Sequence, residues 1–420
     1  MKTTYMDVFK VKGISSLFII NFLLRAGAWM FSTAIVVFTL KVFGSSALAG
    51  TAVFFSGIFS ILMGPFTGTI IDRYNKSFII KLSLFFTGIG IFLIPILNYF
   101  DVLPKFLFIG LIIFTGLTKP VALTAVATLF PILIPEKYWD KANGLDGVNQ
   151  EVSVIFGQLL VGTLFASLLP EVAMGIVAMF YFFAIIFVKK DIPSTNSSKD
   201  TASNIKTIFD ETLQGISYVF KHNKTLKSLS LNVPIYVITF GSLTILLPLI
   251  VYNRLDGNEF YIGLLWAIEG VAALLSNYFF GKVNTEGKEK TYLLTGMGIS
   301  LIGFLLLAFS TNIYLLILSL MFIGGTQGLV DISLNSLRQR VTEPLWYGRA
   351  FAINGTAIGL GMPVGSLIAG YFAKEWFEIT LFLPIVAATL ACLFIMKTLK
   401  SEHTEINKVT DEISIERNVN

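Results

Sequence analysis

Long apolar segments limit what this sequence can fold into more than any other feature. The first of them, Ile14 to Leu40, holds a single charged residue. A helix crosses the hydrocarbon core of a bilayer with roughly 20 residues, whereas the apolar region of a signal peptide has only about 7 to 15. We therefore expect this segment to stay in the membrane as a span. A mean hydropathy of +0.76, with 14% charged residues, is more apolar than a soluble core requires.

Glycines, prolines and charged residues divide the chain into twelve segments of this kind. The predicted spans lie at 14–40, 46–71, 77–99, 105–130, 142–167, 171–188, 227–252, 259–281, 290–310, 313–337, 348–372 and 376–397. Because a lipid-facing backbone must satisfy its own hydrogen bonds, such segments form helices. The sequence predicts an all-α membrane protein with twelve transmembrane helices.

The basic residues indicate the orientation of these helices. Loops on the side of both termini hold most of the 31 lysines and arginines, whereas the opposite loops hold only Lys41, Lys105, Arg254 and Lys374. Cytoplasmic loops carry the excess of positive charge. We therefore expect a multi-pass protein of the plasma membrane with both termini in the cytoplasm. Because the basic residues behind the net charge of +5 lie at span ends, this charge does not indicate a nucleic-acid partner.

A hydrophilic connection at 189–226 interrupts the pattern once. It begins with the polar stretch "KKDIPSTNSSKDTASN" and continues with a segment whose apolar residues, among them Ile205, Ile208, Phe209 and Val219, share one helical face. This pattern predicts a tether and an amphipathic helix on the inner leaflet. The predicted domains are a six-helix bundle at 1–188, this linker, a second six-helix bundle at 227–397 and a cytoplasmic tail at 398–420.

An internal repeat supports two equivalent bundles. Displacing the sequence by 208 residues aligns two spans and their loop in each half. The aligned pairs are Phe114 with Phe322, Gly116 with Gly324, Thr118 with Thr326, Leu129 with Leu337, Ala142 with Ala350, Gly147 with Gly355, Gly157 with Gly365, Gly162 with Gly370, and Asp146 with Asn354. Parallel repeats about an axis along the membrane normal build the central substrate site of one large class of secondary transporters.

The link between spans 2 and 3 carries a family resemblance. It reads "GTIIDRYNKS" and resembles the G-x-x-x-D-R-x-G-R-K signature of the major facilitator superfamily at Gly68, Asp72, Arg73 and Lys76, with Asn75 in place of the second glycine. With the twelve spans, the central loop and "DETLQGISYVFKHNKTLKSL" before span 7, the chain resembles the macrolide-efflux-like, drug:proton antiporter branch. The resemblance implies the major facilitator fold of two pseudo-symmetric six-helix bundles, and a monomer.

The same resemblance implies a cytoplasmic gate formed by Gly68, Asp72, Arg73 and Arg349. In the family the aspartate faces the positive N-terminal end of span 11, and the arginine meets carboxylates or lipid phosphates. Arg349 stands at the start of span 11 as a further partner. The alternative is that Asp72 and Arg73 only end a helix at the membrane interface.

Glycines in spans 5 and 11 resemble a second family pattern. The glycine-rich motif of drug antiporters appears only as "GQLLVG" at 157–162, and its repeat partner is "GMPVGSLIAG" at 361–370. Small residues at such spacings let helices approach closely. Helix packing and a part in coupling remain equal alternatives here.

Charged residues inside the spans are the candidate site. Arg25, Lys119, Glu151 and Glu269 are expected near the middle of the membrane, and Asp146 and Asp331 nearer the cytoplasmic side. An ionisable group at that depth is costly unless it is paired or hydrated. The family fold implies that spans 1, 4, 7 and 10 line a cavity with help from 2, 5, 8 and 11. We therefore expect Arg25, Lys119 and Glu151 to cluster there, with Glu151 held ionised.

Two of these positions carry further predictions. Glu269 has no evident basic partner in its own half, which favours a reversibly bound proton; the alternative is a structural carboxylate that only accepts hydrogen bonds. Pro120 is expected to break the helix beside Lys119, whose repeat partner is Gln327. Paired irregular positions in two repeats point to a binding site. Lys119 and Arg25 together would favour anionic or zwitterionic amphiphiles.

Several classes of function do not fit the sequence. The segment "GKVNTEGKEK" lacks the spacing of a phosphate-binding loop, and there is no histidine cluster for a metal and no nucleophile motif for an enzyme. The sequence therefore predicts no cofactor, with a proton gradient as the energy source.

The favoured function is proton-coupled efflux, by alternating access, of small hydrophobic or amphipathic compounds of the drug or macrolide type. Its expected partners are the substrate, protons and the lipid bilayer. An uptake porter or lipid flippase on the same fold is the alternative, and a receptor without transport activity is a third possibility.

Overall fold

The computed structural model describes residues 5–11, 13–188 and 212–399. Within these ranges all regular secondary structure is helical. Twelve of the described segments are long and apolar enough to cross a membrane, and each overlaps a predicted span. The predicted all-α class with twelve transmembrane helices is confirmed.

The spans have the following bounds. Spans 1 to 6 are Ile14–Phe43, Ser46–Arg73, Lys76–Tyr99, Lys105–Leu133, Trp139–Ser167 and Pro170–Phe187. Spans 7 to 10 are Lys224–Arg254, Glu259–Phe280, Glu289–Ala308 and Ile313–Val341. Span 11 consists of the helices Tyr347–Gly359 and Gly361–Ala373, and span 12 of Phe377–Thr380 and Leu383–Thr398.

Capping residues set several of these boundaries. Span 2 begins after Ser45, whose side chain accepts a hydrogen bond from the Leu48 amide, and span 3 begins after Asn75, which caps the Phe78 amide in the same way. Between spans 1 and 2, Gly44 adopts a φ of 59° that favours glycine. Short polar caps and a left-handed glycine therefore let long helices follow one another with tight turns.

The repeat appears in the structure with its predicted register. Spans 4 and 10 begin at Lys105 and Ile313 and end at Leu133 and Val341, so both ends are 208 residues apart. The short 3-10 helices that follow, at 136–138 and 344–346, keep the same displacement. The copies differ later, because span 5 is continuous whereas span 11 is interrupted at Leu360.

Contacts divide the chain into two compact units. The larger unit contains spans 1 to 6 together with Gly241–Val271 and Pro363–Thr380. The smaller unit contains the described residues of Ser203–Phe240, Ala272–Met362 and Leu381–Asn420. The larger unit thus combines the first repeat with parts of spans 7, 8, 11 and 12. The predicted limits of the two bundles follow the chain rather than contacts and stay a prediction.

The end of the central linker packs on the smaller unit. Ile205, Ile208 and Phe209 of the predicted amphipathic helix lie outside the described residues. Farther along, Val219 is fully buried in a cluster with Leu226 and Ala350. The ring of Tyr218 stacks on Trp346 with centroids 4.8 Å apart. This last part of the linker contacts the protein at the start of span 11.

Candidate functional site

An ion pair joins spans 1 and 5 in the larger unit. The Arg25 guanidinium donates to both carboxylate oxygens of Asp146, at 3.0 and 2.9 Å, and also to the Asp146 carbonyl at 3.0 Å. Asn21, one helical turn before Arg25, donates its amide to the same carboxylate at 2.6 Å. A bidentate pair of this kind is strong and directional. It engages Arg25 with Asp146, so Arg25 is not a free cation for an anionic substrate.

The repeat position of Asp146 makes an uncharged version of this link. In the smaller unit Asn354 is fully buried in span 11, and its side-chain amide donates to Ser230 of span 7 at 2.8 Å. The same amide lies 3.4 Å from the Leu226 carbonyl. Spans 7 and 11 are therefore joined as spans 1 and 5 are, with amide and hydroxyl groups instead of charges. The aligned pair of Asp146 and Asn354 marks a structural link in each repeat.

Lys119 lies half-buried in span 4 and faces an aromatic ring of span 1. Its ammonium is 5.9 Å from the centroid of Phe31, within the range of a cation–π contact. No hydrogen bond or ion pair joins Lys119 to another residue in the part of the chain that the structure describes. Lys119 therefore contributes a positive charge that no described carboxylate neutralises.

The helix beside Lys119 is continuous, and the predicted break at Pro120 is wrong. Span 4 runs through Pro120 because Ser83 of span 3 supports the backbone there. The Ser83 hydroxyl accepts from the Ala122 amide at 3.0 Å and donates to the Thr118 carbonyl at 2.7 Å. These are the two groups that an uninterrupted helix joins directly. A neighbouring hydroxyl thus links a backbone carbonyl and an amide on either side of Pro120.

The equivalent position of span 10 has a related arrangement. Gly328, the repeat partner of Pro120, donates its amide to the hydroxyl of Ser276 in span 8 at 3.0 Å. A Cβ atom at Gly328 would lie 2.5 Å from the Asn277 amide nitrogen. In both repeats a serine from a neighbouring span bonds to the backbone beside Lys119 or Gln327. The two positions are matched irregularities, as expected, although neither interrupts its helix.

Span 10 carries a polar stripe within the smaller unit. Gln327, Asp331, Asn335 and Arg338 follow one another at intervals of three or four residues and share one helical face. Asp331 and Asn335 are exposed, and the other two are half-buried. Arg338 donates to the Phe351 carbonyl at 3.0 Å. Among the described residues, no hydrogen bond or ion pair engages Asp331.

The polar stripe is separate from the apolar surface of the same helix. Tyr314, Leu318 and Met321 are exposed on a neighbouring face, as expected for side chains against lipid. A charged group such as Asp331 is not stable in hydrocarbon and requires a hydrated surface. The stripe therefore identifies the face of span 10 that meets water or a polar substrate.

The first repeat lacks this stripe. The aligned residues of span 4 are Lys119, Leu123, Ala127 and Phe130, so one cation stands among apolar side chains. The two repeats consequently present different chemistry at equivalent positions, with a lysine and an apolar face in span 4 and a carboxylate and amides in span 10.

The two predicted carboxylates of the larger unit differ in burial. Glu269 of span 8 is 6% exposed, whereas Glu151 of span 5 is half-buried. Arg25, which was expected to cluster with Lys119 and Glu151, is instead bonded to Asp146. The roles of Glu151 and Glu269 stay predictions.

The predicted cytoplasmic gate is only partly described. Asp72 and Arg73 end span 2, but their side chains lie outside the description that the structure gives. Gly68 is exposed with no atom within 4 Å of the position of a Cβ atom. Arg349 lies 5.7 Å from the ring centroid of Trp346. The gate therefore stays a prediction.

A second charged group, at the end of the spans away from the termini, was not predicted. Lys41 ends span 1 and Glu259 begins span 8, and their charged atoms are 2.8 Å apart in the larger unit. Tyr252 of span 7 donates its hydroxyl to the same carboxylate at 3.0 Å. In the sequence each residue stands at a span boundary, where charges usually mark a loop. Nothing in the sequence indicates that these two boundaries meet.

The glycines of spans 5 and 11 lie at close helix contacts. A Cβ atom at Gly157 would lie 2.9 Å from the Ala26 carbonyl oxygen, and one at Gly162 would lie 2.7 Å from the Gly263 Cα atom. Gly370 approaches Gly50 in the same way, at 2.8 Å. Close helix packing, one of the two alternatives for these glycines, is therefore present, and a part in coupling stays a prediction.

Comparison with known proteins gives the family. Residues 6–417 match the family model described as transmembrane secretion effector, and the relatives that match the chain include transporters of the major facilitator superfamily. The chain belongs to this family of the superfamily. The resemblance carried by the motif at 68–77 is confirmed, and the protein is a multi-pass membrane transporter.

Two relatives illustrate the range of the match. An uncharacterized MFS-type transporter, y4rN, of Sinorhizobium fredii is 26% identical over 93% of this chain and 96% of its own length. Macrolide efflux protein A of Streptococcus pyogenes is 23% identical over 82% of this chain and 86% of its own length.

Solved structures support the fold. A mutant form of the nucleoside transporter NupG superposes with a TM-score of 0.74 at 13% identity, and the match covers 92% of this chain and 99% of that one. A POT family transporter in complex with a thioalcohol-conjugated peptide gives 0.70 at 12% identity, over 92% and 95% of the two chains. At these identities the structures show the major facilitator fold alone.

Proposed function

We propose that this transporter exports small hydrophobic or amphipathic compounds, of the drug or macrolide type, in exchange for protons and by alternating access. The observation that carries the proposal is the difference between equivalent faces of spans 4 and 10. One presents Lys119 among apolar side chains, and the other presents the exposed carboxylate of Asp331 with Gln327 and Asn335. Polar groups placed within spans at matched repeat positions are typical of a substrate site.

The names of relatives support the direction and the substrate class. Besides Macrolide efflux protein A, the chain is 25% identical over 63% of its length to the Tetracycline resistance protein, class H, of Pasteurella multocida. Both names describe removal of, or resistance to, a drug. The proposal places both termini in the cytoplasm and the monomer in the plasma membrane, as the positive-inside rule and the family imply.

Each candidate residue has a role in this proposal. We assign Lys119 to substrate contact within the larger unit, and Gln327 and Asp331 to substrate contact within the smaller unit. The buried Glu269 carries the exchanged proton. Within the larger unit Glu151 lines the substrate and ion site, and the pairing of Arg25 with Asp146 holds spans 1 and 5 together there. Gly68, Asp72, Arg73 and Arg349 form the cytoplasmic gate.

Accumulation assays test the proposal. Cells that express the wild type, Glu269→Gln, Asp331→Asn or Lys119→Met are given fluorescent compounds and antibiotics, with and without a protonophore. The wild type should lower accumulation only while the proton gradient stands, and the three variants should lose most of this effect. Glu171→Gln is a matched control, because Glu171 only accepts a hydrogen bond from Asn98 at 2.6 Å near the ends of spans 3 and 6.

The outcome also distinguishes the alternatives. Higher accumulation in expressing cells would favour an uptake porter, and movement of labelled lipid between leaflets would favour a flippase. Equal accumulation with and without the protein, for every compound, would contradict drug export.

A further inference from the structure

The buried carboxylate of Glu259 joins helices of both repeats at the end of the spans away from the termini. We call Lys41, Tyr252 and Glu259 the outer cluster. The side chain of Glu259 is 8% exposed and lies 2.8 Å from the Lys41 ammonium. The Tyr252 hydroxyl donates to it at 3.0 Å, and the Lys41 ammonium also lies 3.0 Å from the Phe165 carbonyl. Spans 1 and 5 of the first repeat thus meet spans 7 and 8 of the second.

Burial makes the cluster sensitive to the loss of one partner. An exposed ion pair contributes little, but a buried carboxylate that loses its cation keeps the cost of desolvation without the compensating attraction. Lys41, although one-third exposed, is the cation that offsets this cost for Glu259. Contact between the helices at this end is therefore coupled to the Lys41–Glu259 pair.

A close crossing of helices lies directly beside the cluster. The backbone carbonyl of Glu259 would be 2.8 Å from a Cβ atom at Gly162, and Gly263, one turn later, meets Gly162 backbone to backbone. A second crossing joins Gly50 of span 2 to Gly370 of span 11, where Ser46 donates its hydroxyl to the Gly370 carbonyl at 3.0 Å. Both crossings connect the first repeat to the second within the larger unit.

These two kinds of contact have different consequences. The glycine crossings are made by van der Waals contact and separate without leaving an unpaired charge, although the crossing at Gly370 also loses the hydrogen bond from Ser46. Separation of Lys41 from Glu259 leaves two charges that must be hydrated, which occurs only when water reaches this end of the spans. The ion pair therefore favours the arrangement in which this end is closed.

We propose that the outer cluster is a gate contact of this transporter: the Lys41–Glu259 pair holds the end away from the termini closed, and it must separate before substrate can pass that end. The inference rests on transport by alternating access in the proposed function. Loss of the pair shifts the population of states toward the one that is open at this end.

A nearby ion pair provides the matched control. Arg254 and Glu378 form an ion pair at the same end, but they join spans 7 and 12, which both belong to the second repeat. Breaking this pair removes a charge contact at the same end, but one with an exposed carboxylate that links only helices of the second repeat.

Labelling of a single cysteine measures the opening. Cys392 is replaced by serine, and Ser366 by cysteine; Ser366 is fully buried in span 11, and its backbone carbonyl lies beside the crossing at Gly50. A membrane-impermeant maleimide is applied in turn to each face, with right-side-out and inverted vesicles. Lys41→Gln and Glu259→Gln should each raise the labelling rate from the face away from the termini by at least about fivefold, the lower range of ordinary coupling.

Further variants separate this effect from misfolding. The exchanged pair Lys41→Glu with Glu259→Lys restores opposite charges and should return labelling toward the wild-type rate. Glu378→Gln should leave labelling unchanged. Unchanged labelling in both single variants would overturn the proposal, as would the same increase in Glu378→Gln or no recovery in the exchanged pair. The labelling assay needs no substrate. Its result can therefore be interpreted even if the export assay shows no transport.

Discussion

The pair of Arg25 and Asp146 shows that equivalent positions of the two repeats can make the same helix–helix link with different chemistry. The second repeat has Asn354 at the position of Asp146, and its partner across the helices is a serine hydroxyl. Because both positions link the first and fifth helices of a repeat, the link itself is structural. In the first repeat this link is an ion pair. Its cation, Arg25, is the residue that the sequence alone suggested for substrate binding.

The ion pair gives a prediction for Asp146→Asn. The change leaves Arg25 without its carboxylate inside the membrane, and breaking a mostly buried pair costs about 3 kcal/mol. We expect a lower melting temperature and less monodisperse protein after extraction. The double variant Arg25→Met with Asp146→Asn removes both charges and should recover most of the loss. A single variant as stable as the wild type would contradict the pairing.

A prediction also follows for Ser83→Ala. The change removes the hydroxyl that bonds the Ala122 amide and the Thr118 carbonyl next to Pro120. A buried amide without a partner costs about 1–3 kcal/mol. Thermal unfolding should show this loss, whereas Thr163→Ala, which removes an exposed bond within its own helix, should change little. An equal effect of the two changes would argue against a special role for Ser83.

At the scale of helices, the length of the apolar segments and the displacement of 208 residues between the repeats predicted most of the helix boundaries. Spans 4 and 10 have the bounds that the repeat predicts because the same turn chemistry follows both helices. The predicted break at Pro120 failed for a physical reason: the supporting hydroxyl comes from span 3, and a sequence shows no contact between distant helices. For the same reason Gly162 was expected to pack closely, but its partner Gly263 was not foreseen.

The helix crossings predict the effect of a single methyl group. A Cβ atom at Gly263 would lie 2.3 Å from the Gln158 carbonyl oxygen, whereas one at Gly325 would meet no atom within 4 Å. Gly263→Ala should therefore force spans 5 and 8 apart and lower stability by about 1–3 kcal/mol. Gly325→Ala should be neutral or slightly stabilising, since alanine favours helix. Comparison of the two melting temperatures checks this, and similar values would refute the tight crossing.

For the whole molecule, the sequence predicted the family and the helix count, and both are confirmed. The site was less accessible to prediction. Arg25, Lys119 and Asp331 were identified as charges within spans, but their partners depend on which helix faces pack together. Lys41 and Glu259 escaped notice because a charge at a span end looks like any other loop charge. Depth in the membrane can be read from sequence, whereas pairing across helices cannot.

Proton-coupled export is the central claim, and transport into inverted vesicles tests it most directly. Vesicles from cells with and without the protein would be energised by respiration, and a radiolabelled macrolide would be followed as it enters the lumen. Proton-coupled export predicts accumulation that requires the protein, collapses with a protonophore and is lost in Glu269→Gln but not in Glu171→Gln. Accumulation that persists without the proton gradient, or movement only out of the vesicles, would contradict it.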